Sequence, residues 1–448
     1  MARRYSQTMD GTWRGMLQRH TARGTSSIWQ NEMLNWRIQG GVPVCRPGVR
    51  PFTGAAFPAV VRGFAFHVNA DGTFHMIVAC ANGKLYRCFQ GGDPIELSMA
   101  GLPVAEQTRV DTEIVNFLSI SGGRNTTFIY DGVNPNLKWD GTQLTRVGIV
   151  IPNQTPEPTE DTGLIEAGTR NYVHTLVSPY FESAPSNESA GDGNNYRVVT
   201  QTANKKQTFP SPVQGTDFDD PQVTMWRLWR TSAGGAELKF IGEADIGLPI
   251  EDNVPDANLV GRDPVEELVC DPPPSFAVCM CEHRGQVIGV FADNKNILRF
   301  TNVDPSYMVT EGWPKNFTQP VATGDGDEIK AIASFFDWVI VFKNNSAYAV
   351  IGDSFDNYTV VPILASAATR QGIGCFAPGS IRQVENELQW ASRDGIYSIS
   401  RFSSPSGGLK AKRISGPIDD LYAAARYSLG SSSFSERKKR YASFNGHG

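Results

Sequence analysis

What most constrains this chain is a pattern that recurs without a fixed period. Short stretches place apolar residues at every second position, and each closes on a turn that carries glycine. Phe64, Phe66 and Val68 share a face before Asp71-Gly72; Phe74, Met76 and Val78 share a face before Asn82-Gly83; residues 85–89 follow. Alternation of this length marks a half-buried β-strand. Asp-Gly and Asn-Gly suit type I′ hairpins, whose two central residues both take positive φ. The same grammar returns near 113–119, 127–130 and 137–141, then at 286–291, 297–302, 329–334, 338–342 and 347–352, and again at 380–384, 388–391 and 396–400. Grouped in threes and fours, these stretches predict antiparallel meanders of roughly 40–50 residues, the size of a propeller blade. Because no fixed period links them, a large β-sandwich is the structural rival.

Composition supports a folded chain. The 448 residues allow roughly three domains, and 40% apolar residues together with 44 Gly provide for a core. Throughout-disordered chains are thereby excluded. No uninterrupted apolar run approaches the length of a membrane span, so none is expected. The first twenty residues, MARRYSQTMDGTWRGMLQRH, have basic residues but no apolar stretch behind them, which argues against a secretory signal. The seven cysteines (Cys45, Cys80, Cys88, Cys270, Cys279, Cys281 and Cys375) are odd in number and scattered. They point to synthesis in a reducing compartment rather than to a disulfide framework. In such a compartment the sequons at Asn125, Asn153, Asn187, Asn316, Asn344 and Asn357 receive no glycan.

Charge is unevenly placed. Residues 1–50 carry eight Arg against Asp10 and Glu32, a net of +6, and residues 51–150 carry seven basic against eight acidic groups. Residues 151–400 carry 17 basic against 33 acidic groups, a net of −16, and residues 401–448 carry nine against three, a net of +6. Two basic ends thus flank an acidic middle. Either the ends dock on an acidic partner while the middle repels polyanions, or the ends are solvated tails. A sequence-specific nucleic-acid binder would need clustered Lys and Arg on a folded face, which this distribution does not provide.

Texture divides the chain. Residues 1–37 read as a basic arm, and residues 38–160 as the first part of the propeller. Pro-, Thr- and Glu-rich residues 152–170 resemble a linker. A strand over 172–177, the alternating 223–230 and the strand 238–241 then form a small β-sandwich pattern, which we bound at 161–270. Asp- and Pro-rich residues 250–274 return the chain to a second propeller part, 271–448. The predicted fold is therefore all-β: an irregular β-propeller with an inserted β-sandwich and few short helices. One helix is expected after a Ser415 cap, with Pro417, Asp419 and Asp420 in its first turn and residues 421–426 continuing it. A second is expected near 27–36.

Little of this carries chemistry. Cys279-Met280-Cys281-Glu282-His283 is the one metal-like cluster, but its two cysteines lie two apart in an apparent strand, without the second pair a zinc site uses. They read as buried thiols packing a core, and no third group is visible to orient a Cys–His pair. Gly324-Asp325-Gly326-Asp327-Glu328 lacks the spacing of a calcium loop and reads as an acidic turn; Asp217, Asp219 and Asp220 are read likewise. Nine Trp (13, 29, 36, 139, 226, 229, 313, 338 and 390) fall mostly on strands, where large rings fill seams between sheets rather than stack on sugars. No nucleophile elbow, Walker or dinucleotide pattern is present. No catalytic, cofactor-binding or metal residue is assigned, and channel-lining residues stay unassigned.

Several stretches together resemble the tail nozzle (tail tubular protein B-like) proteins of short-tailed bacteriophages. They are Gly40-Gly41-Val42-Pro43-Val44-Cys45-Arg46-Pro47-Gly48-Val49-Arg50-Pro51; Asp131-Gly132-Val133-Asn134-Pro135-Asn136-Leu137-Lys138-Trp139-Asp140-Gly141; Glu182-Ser183-Ala184-Pro185-Ser186 with Arg227-Leu228-Trp229-Arg230-Thr231-Ser232-Ala233-Gly234-Gly235; and the long run from Gly324 to Ser400. The resemblance spans about residues 38–425. It implies that the inserted sandwich is fibronectin-like. It also implies a structural virion protein, a homohexameric tube below the portal–adaptor ring, docking a tail needle or fibres, through which double-stranded DNA is ejected. The chain departs from the family at its end, where Arg440-Tyr441-Ala442-Ser443-Phe444 looks like the first strand of a blade that longer relatives complete. On this reading the protein is not an enzyme, needs no cofactor, is made in the bacterial cytoplasm and resides in the phage tail. An acidic middle facing the lumen would keep phosphate contacts few. Two other readings stand beside it: a β-propeller glycoside hydrolase, and a propeller module that binds carbohydrate or protein.

Overall fold

The computed structural model describes residues 51–416, apart from 121–124, 154, 180, 187–196, 266–272, 302–310, 353–356, 366–372, 394 and 401–408, together with the strand backbones Gly15–Met16, Trp29–Gln30, Trp36–Gln39 and Val42–Cys45. The chain is all-β. Among the described residues the only helical elements are the short 3-10 turns Val104–Glu106, Asp256–Leu259 and Pro378–Ser380. It divides into two compact units: residues 52–326 with 352–358, and residues 1–51, 327–351 and 359–448.

The first of these units contains three blades. Blade A is the meander Val61–Val68, Phe74–Cys80, Leu85–Cys88 and Ile95–Glu96; blade B is Asn116–Ile120, Thr126–Tyr130, Leu137–Trp139 and Leu144–Arg146; blade C is Ala277–His283, Gln286–Phe291, Asn294–Phe300 and Thr318–Pro320. Each is antiparallel throughout. Alternation decides which neighbour each blade buries. In blade B, Ile129, Leu137 and Trp139 face blade A and pack with Ile77, Ala79 and Leu85. Phe128 and Tyr130, one residue out of phase, face blade C and pack with Ala277, Met280, Val287, Phe291 and Trp313. The first strands of the blades lie side by side, A against B and B against C. Sheets stacked face to face about their first strands are the packing of propeller blades.

Gly63 marks how close that inner approach is. A Cβ there would lie 2.0 Å from the Val115 carbonyl oxygen and 3.0 Å from the Phe117 ring. The ladder shifts register between Val61 and Gly63, and Val115 N–H donates to the Arg62 carbonyl at 3.3 Å.

Between blades B and C the chain forms a sandwich of two sheets. One holds Thr159–Ile165, Lys205–Phe209 and Ile250–Asp252; the other holds Arg197–Gln201, Gly168–Val177, Met225–Arg230 and Lys239–Asp245. Tyr172, Leu176, Phe209, Trp226, Leu228 and Ile250 fill the space between them. Each such fully buried side chain contributes on the order of 1.5–3 kcal/mol. An ionic network closes one end of this core. Arg170 grips Asp256 with two bonds of 2.9 Å, Arg230 reaches the same carboxylate at 2.6 Å, and Tyr172 Oη donates to Asp252 at 2.8 Å.

The other unit carries an eight-stranded sheet. Two meanders, Ile329–Phe335 to Thr359–Ala365 and Arg382–Val384 to Leu409–Arg413, join through a parallel pair between their last strands, with Ile363 opposite Leu409. Phe335, Phe342, Trp390 and Tyr397 are among its core residues. The two meanders had been expected as separate blades. Their junction pairs segments more than 40 residues apart, which no local pattern encodes.

Two local expectations change. The turns at Asp71-Gly72 and Asn82-Gly83 are not type I′, because only the glycines take positive φ, 81° and 75°. Each loop has three residues, closed by Asn69 N–H to Thr73 O at 2.7 Å and by Cys80 N–H to Lys84 O at 3.0 Å. This is a type I turn followed by a left-handed glycine. The two-residue loop with both φ positive is instead Arg284-Gly285, at 51° and 78°, between His283 and Gln286. The helix expected near 27–36 gives way to strand at Trp29–Gln30, paired in parallel with Gly15–Met16, and at Trp36, where the next strand begins. Backbone that bonds across to another strand cannot close i to i−4 helical bonds. The helix expected over 417–426 lies outside the described residues.

Candidate interaction surface

Blade A has one face turned to blade B and one turned away. On the outward face, register sets Phe64 opposite Val78, Phe66 opposite Met76 and Val68 opposite Phe74. Residues directly opposite in an antiparallel pair share a face, so these six form one apolar rectangle. Two of the six are covered: Met76 and Val78, with Cys80, Tyr86 and Cys88 beside them, are buried beneath Phe52, Phe57 and Ala59. The other four are open. Phe64 is 59% exposed, Phe66 44%, Phe74 52% and Val68 41%. The rings meet edge to face, with centroids 6.4 Å apart for Phe64–Phe66, 6.0 Å for Phe66–Phe74 and 5.8 Å for Phe52–Phe66. The nearest cation on the strand, Arg62, is held by Asp111 at 2.9 and 2.5 Å. The thiols behind the face are unreactive: burial pushes Cys80 up and Cys88 up to about 11, so both stay protonated.

The inward face of the same two strands carries a histidine pair. His67 and His75 are directly opposite, buried, with ring centroids 5.0 Å apart. Both reach across the seam to blade B: His67 Nδ1 lies 3.0 Å from Thr127 Oγ1, and Trp139 Nε1 donates to His75 Nε2 at 2.9 Å. Accepting that bond makes His75 the neutral tautomer protonated on Nδ1. Burial lowers His75 to about 4, with His67 and Arg87 adding to the effect. Burial also lowers His67, against a small opposing pull from Asp140. Neither His67 nor His75 lies in a motif of the sequence. The signal that could have found the pair is the three-residue loop, which fixes the register and sets 67 opposite 75.

The residues singled out for chemistry are committed to structure. Cys279 and Cys281 lie buried in the first strand of blade C, and His283 ends it. Among the described residues no group of three His, Cys, Asp or Glu is placed to hold a metal ion. The aspartates at 217–220 serve three separate purposes: Asp217 caps Val213 N–H, Asp219 accepts from Val104 N–H, and Asp220 holds both nitrogens of Gln222. Asp327 accepts from Asn344 Nδ2 at 2.9 Å and Asn345 N–H at 2.8 Å, pinning the turn between two strands of its sheet. Of the tryptophans, Trp139, Trp226, Trp229, Trp313 and Trp390 are core and Trp338 packs against it; the side chains of Trp13, Trp29 and Trp36 lie outside the described residues.

Three further buried carboxylates are fully paired, whereas Glu106, salt-bridged to Arg146 at 3.2 Å, leaves its buried Oε2 without a hydrogen bond, and burial raises its carboxyl. Glu311 takes Lys138 Nζ at 2.5 and 2.7 Å and Gly148 N–H at 2.8 Å. Glu182 takes Thr175 Oγ1 and Arg227, both at 2.6 Å. Asp131 binds Arg109, Asn134 and the N–H groups of Val133 and Asn134.

No protein-family model and no curated protein matches the chain. Among solved structures it is similar to YCF48 from Cyanidioschyzon merolae, at 13% identity and TM-score 0.31, over 77% of this chain and 83% of that one. It is similar too to the computationally designed Ika8 protein, at 8% identity and TM-score 0.24, over 78% and 86%. A third is the extracellular domain of a putative one-component system from B. thetaiotaomicron, at 11% and 0.22, over 80% and 49%. At these values the likenesses carry no functional weight, and the blade assignment rests on the packing of blades A, B and C.

Proposed function

We propose that this chain is a structural subunit of a short-tailed bacteriophage tail, a nozzle protein that forms a homohexameric ring below the portal–adaptor and conducts DNA during ejection. The observation that carries the reading is the order of elements. The stretch 131–141 falls on the turn and third strand of blade B, with Gly132 and Gly141 at φ 78° and 99°. The stretches 182–186 and 227–235 fall in the sandwich inserted after that blade, and 324–400 covers most of the eight-stranded sheet. Three of the four stretches that carry the resemblance thus fall, in chain order, on blade B, the inserted sandwich and the eight-stranded sheet. The pairing of Glu311, Glu182 and Asp131 supports a passive role over glycoside hydrolysis, which needs a free acid and a free base or nucleophile flanking a cleft; Glu106, with Oε2 unpaired and its carboxyl raised by burial, is the group a hydrolase reading would use. The acidic middle, residues 151–400, faces the passing DNA on this proposal and keeps phosphate contacts few. The open aromatic face of blade A favours, as a second reading, a binding module.

The test is co-assembly. Purified chain mixed with the portal–adaptor complex is expected to add six copies per ring. Failure to associate, together with release of reducing sugar from host polysaccharide, would support the hydrolase instead.

A further inference from the structure

The open part of blade A's outward face is built of Phe64, Phe66 and Phe74, whose rings meet edge to face, beside Val68. It lacks the convergent polar groups that orient a sugar or small molecule, which also prefers a concave site. The strand that bears it is not free for edge pairing, since its first half lies against Val115 and Phe117 of blade B. Whatever covers the patch therefore docks on the face.

The exposed area sets the scale. Phe64, Phe66 and Phe74 expose 59, 44 and 52% of their surfaces; with a phenylalanine presenting about 200 Å², the three rings leave roughly 300 Å² uncovered. A standard interface buries about 800 Å² per partner, somewhat over half of it apolar. The three rings thus supply more than half of the apolar centre such a contact needs, with the half-exposed neighbours Val60, Val61 and Val68 around them. A patch of this size is comparable to the largest that a typical monomer exposes, and such patches are often functional.

We propose that this face is a subunit contact and that its occupant is a second copy of this chain. The proposal rests on the ring-forming function above and names the surface through which the ring closes. Around a ring the contact is heterologous, this face of one copy meeting a different surface of the next, and it repeats once per copy.

The experiment places the photo-cross-linker p-benzoyl-phenylalanine at position 66 of the full-length chain, alone and mixed with the portal–adaptor complex. In parallel, mass is measured for wild type and for the triple variant Phe64→Glu, Phe66→Glu, Phe74→Glu. The expected result is an adduct of twice the chain mass, and a triple variant that melts like wild type but stays monomeric in both settings. An adduct confined to one chain, an adduct to the portal–adaptor protein, or a triple variant that assembles like wild type overturns the proposal. If the triple variant does not fold, Phe66→Ser replaces it, and the cross-link decides. Rings that form without a copy-to-copy adduct at position 66 sink this contact while leaving the nozzle reading intact. Absence of rings on the template sinks both.

Discussion

Trp139 donates its indole N–H to Nε2 of His75 at 2.9 Å, across the seam where blades A and B meet. This bond fixes an uncharged imidazole between two sheets, beside His67 and near Arg87, with the Asp140 carboxylate as the opposing influence on His67. The seam is therefore acid-sensitive. His75 titrates near 6.5 when unfolded and near 4 when folded. Stability is complete above about pH 6.5, falls as pH drops toward 4, and is flat for this group below that. From pH 7 to 5 the loss is about 2 kcal/mol. Urea unfolding at the two pH values is expected to show it, and His75→Gln, which keeps an acceptor for Trp139, is expected to flatten the slope. An unchanged slope contradicts the assignment.

Lys138 and Glu311 form a buried pair that joins blade B to the segment ahead of the last strand of blade C. Lys138→Met leaves the Glu311 carboxylate buried without its cation and is expected to destabilise by about 3–5 kcal/mol. Replacing both residues, Lys138→Met with Glu311→Leu, is expected to recover much of that loss. If the single variant melts within a degree of wild type, the pair is not holding the seam.

Gly63→Ala forces a methyl toward a carbonyl oxygen 2.0 Å away. Backbone lies on both sides, so the inner strands of blades A and B must separate. We expect a loss of several kcal/mol, within the range of severe single substitutions, read as a large fall in melting temperature. Gly72→Ala, with nothing within 4 Å of its Cβ but φ at 81°, serves as a control for turn strain alone and is expected to cost about 1 kcal/mol.

In the sandwich, burial pushes Asp256 up, but bonds from Arg170, the Ala233 N–H and Arg230 outweigh it and hold the carboxyl at about 2. A depressed carboxyl stabilises fully above its ordinary value near 3.8 and loses that contribution as pH falls through 2. Asp256→Asn is expected to remove about 2–3 kcal/mol at pH 7, since it takes away the carboxylate that Arg170 and Arg230 share while Arg230 keeps Asp252 and Arg170 keeps Gln201 and Glu166, and to abolish the added acid sensitivity below pH 4. Unfolding of the variant that matches wild type at both pH values contradicts this.

Strands were legible in the sequence because alternation is local. Phe64, Phe66 and Val68 announce a strand, as do Ile288 and Val290, and the inserted sandwich shows in its change of texture. What covers each face was not legible. Phe66 and Met76 carry the same signal, yet one is open and the other lies beneath Phe57 and Ala59, because coverage depends on a segment that arrives from outside the strand. Turn type was misread at Gly72 and Gly83 because the dipeptide does not reveal that Ala70 and Ala81 belong to the loops. The parallel junction of Ile363 with Leu409 was invisible for a similar reason, being a pairing between distant segments.

The central claim is that this chain closes into a ring that conducts DNA. Cryo-electron microscopy of the 49.0 kDa chain assembled on the portal–adaptor complex tests it most directly. The account predicts six copies around an open channel, with residues 151–400 presenting an acidic wall to it. A solitary subunit holding a substrate between free carboxylates, or a ring whose bore is lined by Lys and Arg with the acidic residues outside, would contradict it.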